Sequence, residues 1–508
     1  MAEYKSPGVY IEEFDSGSVP IAGVGTSTAG FVGPTERGSV DPQRITSFDD
    51  YRRTFGRVTT ATFEGSPDPL PSYLTYAVDG FFRNGGSVCY VARVTAGDAV
   101  ASEAELDGTM VRALGPGLWG DRVRVRVAEA PVGERYNVTV NYWAEGADPD
   151  EDEPQKSELY NDLSMTKGAP GYYAKSINGA SALVEIDEGA ESLPTGEFTL
   201  ADGDDGGEIG KDDFDGEETQ VLSPSMEQRI QRTGLEGLTA VDEVAIVCIP
   251  DEAKVDGVAG SLLEHCEGLN DRFAVMQAEQ GVTPDTLSGD GLPTSAVSNK
   301  GFAAFYYPWL KVLDPFTNVE TLVPPGGHVA GVYARTDTNR GVHKAPANEQ
   351  LRGVQGLEHD IRTSDQDGLN PQSINCIRTF RGRGIRVWGA RTTSPNTTWR
   401  YVNVRRLFIF IEESLQEGTQ WAVFEPNDEP LWARVRQSVT NFLTGVWRDG
   451  ALQGTTPEQA FYVKCDRTTM TQDDINQGRL IIEVGIAPVR PAEFVIFRIT
   501  QIMEAPEA

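Results

Sequence analysis

Histidine and cysteine are the residues of this chain whose possible chemistry is easiest to test by spacing. No histidine has a second histidine four residues away, and none has a carboxylate beside it at a catalytic helical spacing. The sequence also contains no C-x-x-C pair. The four histidines are His265, His328, His343 and His359. The five cysteines are odd in number and scattered, which is typical of buried free thiols in a reducing compartment. We therefore expect no catalytic residues, no metal site and no cofactor.

The glycine-rich stretch "GTSTAG", Gly25 to Gly30, has the spacing of a phosphate-binding loop. Phe31 and Val32 stand where such a loop needs lysine and serine or threonine to reach the phosphates and the magnesium ion. Ser27 also lacks the G-x-S-x-G context of a nucleophile elbow. The stretch therefore predicts a tightly packed, buried strand of small residues.

The acidic stretch "DGDDGGEIGKDDFDGEE", residues 202–218, offers clustered carboxylates of the kind that hold calcium. Counted from Asp202 as an EF-hand loop, it has Gly206 at position five and Asp213 at position twelve, where a bidentate glutamate is expected. The pattern favours a solvated acidic loop, with calcium binding as the alternative.

A basic and aromatic stretch, residues 378–406, would suit nucleic acid in a neutral protein, because arginines pair phosphates and rings stack on bases. The whole chain, however, has a formal charge of -32, from 76 acidic against 44 basic residues, and binding to phosphates needs a basic field. Glycines and the alternating Ile385 and Val387 favour a twisted core strand whose arginines pair carboxylates. We expect no nucleic acid partner.

The acidic excess also bears on the source of the protein. Only ten of the basic residues are lysines. This balance is typical of proteins kept soluble in high salt by an acidic surface, and a GC-rich genome, which favours arginine codons, is the alternative. The N-terminus has no signal-peptide pattern, and no apolar run approaches the length of about 18 residues that a bilayer requires, so we expect synthesis in the cytosol and no membrane insertion.

The segments that could position a site predict a fold of mixed class, α/β and α+β, with several domains. A helix capped by Ser47 and the apolar strands "DEVAIVCIP" and "RFAVMQAEQG", separated by a helical segment, indicate a mainly parallel sheet covered on both faces. We assign residues 21–97 and 236–345 to this discontinuous α/β sandwich domain. Short alternating strands predict an inserted antiparallel β domain at residues 98–235, where residues 99–235 alone hold 29 acidic and 11 basic side chains.

Residues 346–508 are predicted to form an α+β C-terminal core domain. Residues 373–508 hold 15 acidic and 16 basic side chains, a balance that suggests surface not left in water. Two amphipathic helices and two closing strands, "GRLIIEVGIAP" and "PAEFVIFRITQI", are expected there. At the other end, "SPGVYIEEF" reads as a strand without a nearby partner, on an N-terminal arm of residues 1–20.

Six stretches in chain order resemble the tail sheath proteins of contractile phages and related injection machines. They are "YKSPGVYIEEF", "FVGPTERG", "PPGGHVAGVYARTDTNRGVHKAPAN", "LNPQSINCIRTFRGRGIRVWGARTT", "RRLFIFIEESL" and "PAEFVIFRITQ". They lie at both ends of the chain and in its second half, and the acidic insertion is not part of the resemblance. The resemblance implies a structural subunit that stacks as hexameric rings in a helical polymer around an inner tube protein. Contraction without nucleotide would then drive that tube through a target cell envelope.

The resemblance also implies where the contacts lie. Terminal strands would complete the core domains of neighbouring subunits, and baseplate and tail terminator proteins would be further partners, in a virion tail or in an injection particle assembled in the host cytoplasm. The residues expected to exchange are Val9, Tyr10, Ile11, Phe14, Phe494, Val495, Ile496, Phe497 and Ile499. The tethers expected to act as hinges are Asp15, Ser16, Gly17, Ser18, Pro488 and Pro491.

The C-terminal helices would face the tube and the acidic insertion would face outward. On the helix from Leu431 to Trp447, the candidate tube contacts are Arg434, Arg436 and Asn441, and the helix from Leu407 to Leu415 is the weaker candidate. The alternative is that both helices only cover the core sheet. Another self-assembling structural or surface protein is the alternative function. An enzyme would need converging catalytic residues, which the sequence does not offer.

Overall fold

The computed structural model describes residues 19–131, 135–225 and 227–498. The chain divides into two compact units. The large unit is Gly25–Arg406, and the small unit comprises Met1–Val24 and Leu407–Ala508. The α/β domain therefore begins at Gly25, four residues after the start that we expected.

The large unit opens with the strand and helix segments predicted for its first 70 residues. They are Ala29–Gly33 (β1), Gln43–Ile45 (β2), Phe48–Phe55 (α1), Thr60–Ala61 (β3), Leu70–Pro71 (β4), Leu74–Asn84 (α2) and Cys89–Arg93 (β5). Ser47 caps α1 as predicted, because its hydroxyl accepts a hydrogen bond from the backbone N of Asp50 at 3.1 Å. β1 is buried throughout, and a Cβ on Gly30 would lie 2.8 Å from the side chain of Leu238. The prediction for "GTSTAG" therefore holds only for its last two residues, Ala29 and Gly30, because residues 25–28 lie in no strand and are not buried.

The chain then leaves the main sheet for a series of shorter sheets. Their elements are Glu103–Leu106 (β6), Thr109–Ala113 (β7), Val123–Glu129 (β8), Arg135–Tyr142 (β9), Lys156–Ser164 (β10), Tyr173–Asn178 (α3), Val184–Ile186 (β11), Gly196–Thr199 (β12), Lys211–Asp215 (α4), Glu218–Leu222 (β13) and Gln228–Arg232 (β14). One sheet has the order β10-β9-β8-β12, and a second has the order β11-β7-β6, all antiparallel. Burial alternates along β8, so its valines reach a core shared with Trp119 and Tyr142.

The chain returns to the main sheet after β14. The remaining elements of the large unit are Gly234–Thr239 (α5), Ile246–Cys248 (β15), Val258–Leu269 (α6), Phe273–Gln277 (β16), Pro284–Asp290 (α7), Ala303–Tyr307 (β17), Leu310–Leu313 (β18), Glu320–Val323 (β19), Gly326–Arg340 (α8), Glu349–Gln350 (β20), Val354–Leu357 (β21), Thr363–Leu369 (α9), Ile374–Phe380 (β22) and Gly384–Val387 (β23). The main sheet has nine strands in the order β2-β5-β1-β15-β16-β17-β22-β23-β20. The strands from β5 to β22 in this order pair in parallel, as predicted.

Helices cover both faces of the main sheet. Gly30 of β1 contacts Leu238 of α5, whereas the next residue, Phe31, packs edge to face on Phe81 of α2 with ring centroids 5.6 Å apart. Because successive residues of a strand point to opposite faces, α5 and α2 lie on opposite sides of the sheet.

The domain boundary expected at residue 346 is wrong. β20, β22 and β23 belong to the main sheet, where Phe305 of β17 pairs with Ile374 of β22, so the large unit continues to Arg406. Arginines in this stretch also bond to groups other than the carboxylates that we expected. Arg378 donates to the backbone oxygen of Ile361 and to the amide of Gln366.

Arg406 does pair with a carboxylate, because it forms a bidentate ion pair with Asp337 at 2.7 and 3.0 Å, with both side chains buried.

The acidic stretch at residues 202–218 is more structured than the solvated loop that we expected. It contains the short helix α4, and its carboxylates accept hydrogen bonds from backbone N–H groups elsewhere in the large unit. Asp205 accepts from the N–H of Leu118 at 2.9 Å, and Glu208 from that of Gly65 at 3.3 Å. The described residues contain no group of three or more histidine, cysteine, aspartate or glutamate side chains placed to hold a metal ion.

The small unit contains both amphipathic helices that the sequence predicted. Its elements are the part of Val402–Gly418 (α10) from Leu407 onward, Glu429–Arg448 (α11), Pro457–Ala460 (α12), Phe461–Lys464 (β24), Gln472–Asn476 (α13) and Glu483–Ile486 (β25). Asp428 caps α11 by accepting a hydrogen bond from the N–H of Leu431 at 3.0 Å. Within the described ranges, no helix has the length and apolar character needed to cross a membrane.

Candidate assembly surfaces

The two-stranded sheet of the small unit has two open edges. β24 and β25 pair antiparallel, with Phe461 opposite Ile486 and Lys464 opposite Glu483. Within the part of the chain that the structure describes, neither strand has a second neighbour in the sheet. Each strand therefore presents a row of unpaired backbone N–H and C=O groups, and a sheet of only two strands is marginal in isolation.

The two faces of this sheet differ. Phe461 is buried and β24 packs against α11, so this face belongs to the interior of the small unit. On the other face Tyr462 lies over Gly485, where a Cβ would fall 2.1 Å from the ring, and Tyr462 itself is about half exposed. A strand that adds to this sheet must place its apolar side chains on the interior face. The difference between the two faces therefore sets the register of the added strand.

The chain that follows β25 is fixed for three more residues. Gln453 donates its backbone N–H to Ala487 at 2.7 Å and its side-chain amide to Pro488 at 3.0 Å, and the N–H of Val489 donates to Ala451 at 3.1 Å. Pro488 is therefore anchored in the small unit, which contradicts its expected place in a tether. On the C-terminal side, only Pro491 of the two expected hinge prolines lies beyond these backbone bonds.

The apolar tetrapeptide near the C-terminus is exposed in the single chain. Phe494, Val495, Ile496 and Phe497 are 72%, 71%, 78% and 84% exposed, and they form no strand with the described residues. Of the closing strand expected at "PAEFVIFRITQI", the described part, which ends at residue 498, therefore forms no strand. Four consecutive apolar side chains left in water call for a partner surface. Ile499 lies outside the described residues.

Residues 1–18 of the N-terminal arm also lie outside the described residues, and they include Val9, Tyr10, Ile11, Phe14 and the tether Asp15, Ser16, Gly17 and Ser18. The chain that emerges from it is held on α10. A Cβ on Gly418 would come within 2.5 Å of Ile21, and the backbone N–H of Val24 donates to the hydroxyl of Ser414 at 3.1 Å. The arm therefore starts from a fixed point on the small unit.

The structure gives the three candidate tube contacts on α11 different roles. Arg434 pairs with Glu425 at 3.0 Å and lies over the ring of Trp421 at 5.3 Å, and Arg436 donates to the backbone oxygen of Cys465 at 2.9 Å. Both guanidinium groups thus have partners in their own unit. Asn441 is exposed, and its amide oxygen accepts a hydrogen bond from the side chain of Gln437 at 2.9 Å.

The loop between α10 and α11 presents an apolar tip that sequence reasoning missed. Val423 is 62% exposed and Phe424 is fully exposed, with Phe424 in the left-handed backbone region at φ +66°. A non-glycine residue in this region is uncommon, and a bulky one is a marked outlier. Arg434 braces this loop through Trp421 and Glu425. The signal in the sequence was the apolar "WAVF" inside an otherwise polar loop.

Three titratable groups of the large unit have strongly shifted pKa values. Burial raises the pKa of Glu252 to about 8, although its carboxylate accepts two hydrogen bonds from Gln277. Burial also lowers the pKa of His265 and of His328 to about 4, and His328 packs on Gly80 of α2. The five cysteines are buried and free, as predicted.

Comparison with known proteins identifies the family. The model of the phage tail sheath protein central domain matches residues 233–393, and that of the phage tail sheath C-terminal domain matches residues 394–502. Together they cover more than half of the chain. Their junction lies close to the end of the large unit and far from the boundary expected at residue 346.

Curated relatives are similar over part of their length. The tail sheath protein of Burkholderia phage BcepMu is 34% identical over 196 residues, which are 37% of this chain and 40% of the relative. A putative prophage major tail sheath protein of Pseudomonas aeruginosa is 28% identical over 198 residues, 38% of this chain and 49% of the relative. The chain thus spans less than half the length of these relatives.

Solved structures are similar over nearly the whole chain. The helical sheath of the anti-feeding prophage in its contracted state is 26% identical, covers 98% of this chain and 99% of that one, and gives a TM-score of 0.58. The PVC sheath complex of an extracellular contractile injection system, also contracted, is 25% identical, covers 99% of both chains and gives a TM-score of 0.59. These relatives are structural proteins and not enzymes, and the chain belongs with them to the family of contractile tail sheath proteins.

Proposed function

We propose that this chain polymerises as stacked hexameric rings into a helical sheath around an inner tube, and that contraction of the sheath drives the tube through a target cell envelope. One observation carries the proposal. The small unit holds both a sheet with two open edges and, beyond it, four exposed apolar residues with the pattern of a strand. The open sheet can accept an added strand, and the apolar segment can be donated as one. Within the described residues, the sheet has no added strand and the segment has no partner sheet.

The donor strand of one copy adds to the sheet of another. Phe494–Phe497 pairs with one open edge of β24–β25 in a neighbour, and the N-terminal residues Val9, Tyr10, Ile11 and Phe14 of a further copy pair with the other. Each ladder hydrogen bond contributes about 1 kcal/mol net, and burial of each apolar side chain about 1.5–3 kcal/mol, against the ordering of a flexible tail. A mesh of such links holds every copy to its neighbours.

Contraction uses the difference between two packings of the same subunits. The subunits move as nearly rigid bodies while the exchanged strands stay paired, so the connecting segments absorb the change. On the C-terminal side this segment begins after the anchored Val489 and includes Pro491, and on the N-terminal side it includes Asp15 to Ser18. No nucleotide is consumed, because the free energy is stored when the extended sheath assembles.

The tube-facing surface combines the exposed face of α11 with the apolar tip of the preceding loop. Asn441 remains a candidate contact, and Phe424 joins it. Arg434 and Arg436 act mainly as supports, because their guanidinium groups already have partners. A Phe424→Ser variant should lower co-assembly with the inner tube protein while leaving sheath polymers intact. A Val319→Ser variant removes another exposed apolar side chain, in the large unit, and serves as the control.

Further partners and the location follow from this role. The ends of the sheath meet baseplate and tail terminator proteins, and the particle is a virion tail or an injection machine assembled in the host cytoplasm. The acidic insertion faces outward, where its charge is hydrated. An acidic surface of this kind also suits a salt-rich environment, so sheath assembly should persist at salt concentrations that precipitate a neutral protein.

Electron microscopy of the purified full chain tests the proposal. Tubes or stacked rings should appear over a range of salt concentrations. Deletion of residues 1–14 should abolish them while the monomer keeps its circular dichroism spectrum and its melting temperature. Absence of polymers from the full chain in every salt condition would contradict the function. Normal polymers from the truncated chain would contradict the N-terminal strand exchange alone.

A further inference from the structure

A basic cavity lies in the large unit of this otherwise acidic chain. It has a volume of about 390 Å³ and lies at the C-terminal end of α1, beside the start of β10 and the loop before β19. Its charged lining comprises four arginines, one lysine and one carboxylate, and Gln155, Gly56 and Phe316 complete it. The charged residues are Arg37, Arg52, Arg53, Arg57, Lys156 and Asp49. In a protein with a formal charge of -32, such a concentration of cations needs an explanation.

Two of the cations serve the fold. Arg37 donates to the backbone oxygens of Arg52 and Arg53 at 3.1 and 3.3 Å, and Lys156 donates to that of Arg53 at 2.8 Å. The carbonyl of Arg53 lies in the last turn of the helix, where such groups lack helical partners, and that of Arg52 also accepts from the N–H of Gly56 at 3.1 Å. The fold therefore explains the position of Arg37 and Lys156, but not the three other arginines at the mouth.

The guanidinium group of Arg37, which lines the cavity, nevertheless has only part of its positive charge balanced by hydrogen bonds and a carboxylate. Its side chain is 2% exposed, and its Nε and one terminal nitrogen make no hydrogen bond. The nearest carboxylate oxygen, on Glu36, is 3.5 Å away and already accepts a hydrogen bond from the N–H of Arg57 at 2.6 Å. Burial lowers the pKa of Lys156, and repulsion from Arg37 and Arg53 adds to the effect, although Glu158, which pairs with Lys156 at 3.1 Å, opposes it.

The arginines at the mouth are exposed and weakly held. Arg52 pairs with Asp49 at 3.3 Å and Arg53 with Asp50 at 3.7 Å, but the side chains are largely in water and such pairs contribute little. Arg57 has no carboxylate partner among the described residues. The guanidinium groups of Arg52 and Arg57 lie 5.3 and 5.8 Å from the ring centroid of Phe316, which holds them beside the cavity. Planar guanidinium groups held in this way match oxyanions in bidentate geometry.

We propose that this cavity binds carboxylate side chains of a second copy of the chain, supplied by the loop at residues 144–154. The proposal rests on the polymer proposed above, in which highly acidic copies must lie side by side. Glu145, Glu151 and Glu153 of this loop are exposed, and no described residue pairs with their carboxylates. The carboxylates at residues 202–218, in contrast, are partly occupied by backbone N–H groups of their own copy.

Charge reversal tests the contact. Arg53→Glu and Arg57→Glu together should raise the critical concentration for polymerisation roughly tenfold or more at low salt, where one factor of ten corresponds to a single strong contact per copy. Arg57 follows the end of α1, so Arg57→Glu alone gives a second variant that does not alter the helix terminus. Arg126→Glu, on an exposed arginine of β8 outside the cavity, is the matched control and should polymerise like the wild type.

Charge reversal of the cavity and of the loop at residues 144–154 together tests whether this loop supplies the carboxylates. Glu151→Arg and Glu153→Arg should impair polymerisation alone and restore it when combined in one chain with Arg53→Glu and Arg57→Glu. A synthetic peptide of residues 144–154 should bind the monomeric wild type, and inorganic phosphate should compete with it.

Three results would overturn the contact while leaving the polymer itself standing. They are polymerisation of the cavity variants at the wild-type concentration, failure of the combined variant to recover, and binding of phosphate without binding of the peptide. Absence of polymers from the wild type would instead contradict the sheath function and, with it, the proposed contact between copies.

Discussion

Ile496→Ala separates the stability of the monomer from that of the polymer. Ile496 is 78% exposed in the single chain, so its truncation should leave the melting temperature of the monomer unchanged. If a neighbouring copy buries the side chain, truncation removes a packed isoleucine, which costs about 2 kcal/mol at the low end of the range for such changes. Each copy donates one tail, and a loss of about 2 kcal/mol per link raises the critical concentration for assembly roughly 30-fold.

Sedimentation of polymers over a dilution series measures this concentration. Ile230→Ala in the hairpin β13–β14 is the matched control, since Ile230 is 50% exposed and is not part of the proposed exchange. The control should sediment like the wild type. An equal critical concentration for Ile496→Ala and the wild type would refute burial of the tail in a neighbour. A lowered monomer melting temperature would show that the tail packs within its own copy.

Two further predictions concern buried charges of the large unit. Denaturant titration of Glu252→Gln and the wild type gives the difference between their free energies of unfolding. From pH 5 to 8 this difference should change in favour of Glu252→Gln by up to about 1.4 kcal/mol per pH unit. The sign follows because the pKa of Glu252 is raised to about 8, so the unfolded chain ionises this carboxyl in that window and the folded chain does not. A pH-independent difference would contradict a buried, protonated Glu252. Asp337→Asn should lower the free energy of unfolding by about 3–5 kcal/mol, because Arg406 is left buried without its counter-charge, and a loss below about 1 kcal/mol would contradict this.

The local pattern of the sequence was sufficient for most individual elements. The cap at Ser47, the buried small residues of β1, the parallel strands and the two long helices all follow from short-range periodicity and capping. Membership of β22 in the main sheet did not follow, because it depends on the pairing of Phe305 with Ile374, which are far apart in the chain. The expected boundary at residue 346 therefore lies about 60 residues before the end of the large unit at Arg406.

The assembly surfaces show the same limit. The apolar run Phe494–Phe497 suggested a strand, and this stays a prediction, because the described residues form no strand there and leave all four side chains exposed. The roles of Arg434 and Arg436 depend on Glu425 and Cys465, which only the fold brings to them. Phe424 was missed because the sequence alone does not show whether an aromatic side chain in a loop is buried or exposed.

The most direct test of the sheath account is an electron cryomicroscopy map of the assembled polymer at a resolution that separates strands. The account predicts that β24 and β25 lie in the middle of a four-stranded sheet whose outer strands are Phe494–Phe497 of one neighbouring copy and Val9–Ile11 of another. A polymer in which β24–β25 remains a two-stranded sheet, with both tails in solvent or packed on their own copy, would contradict it.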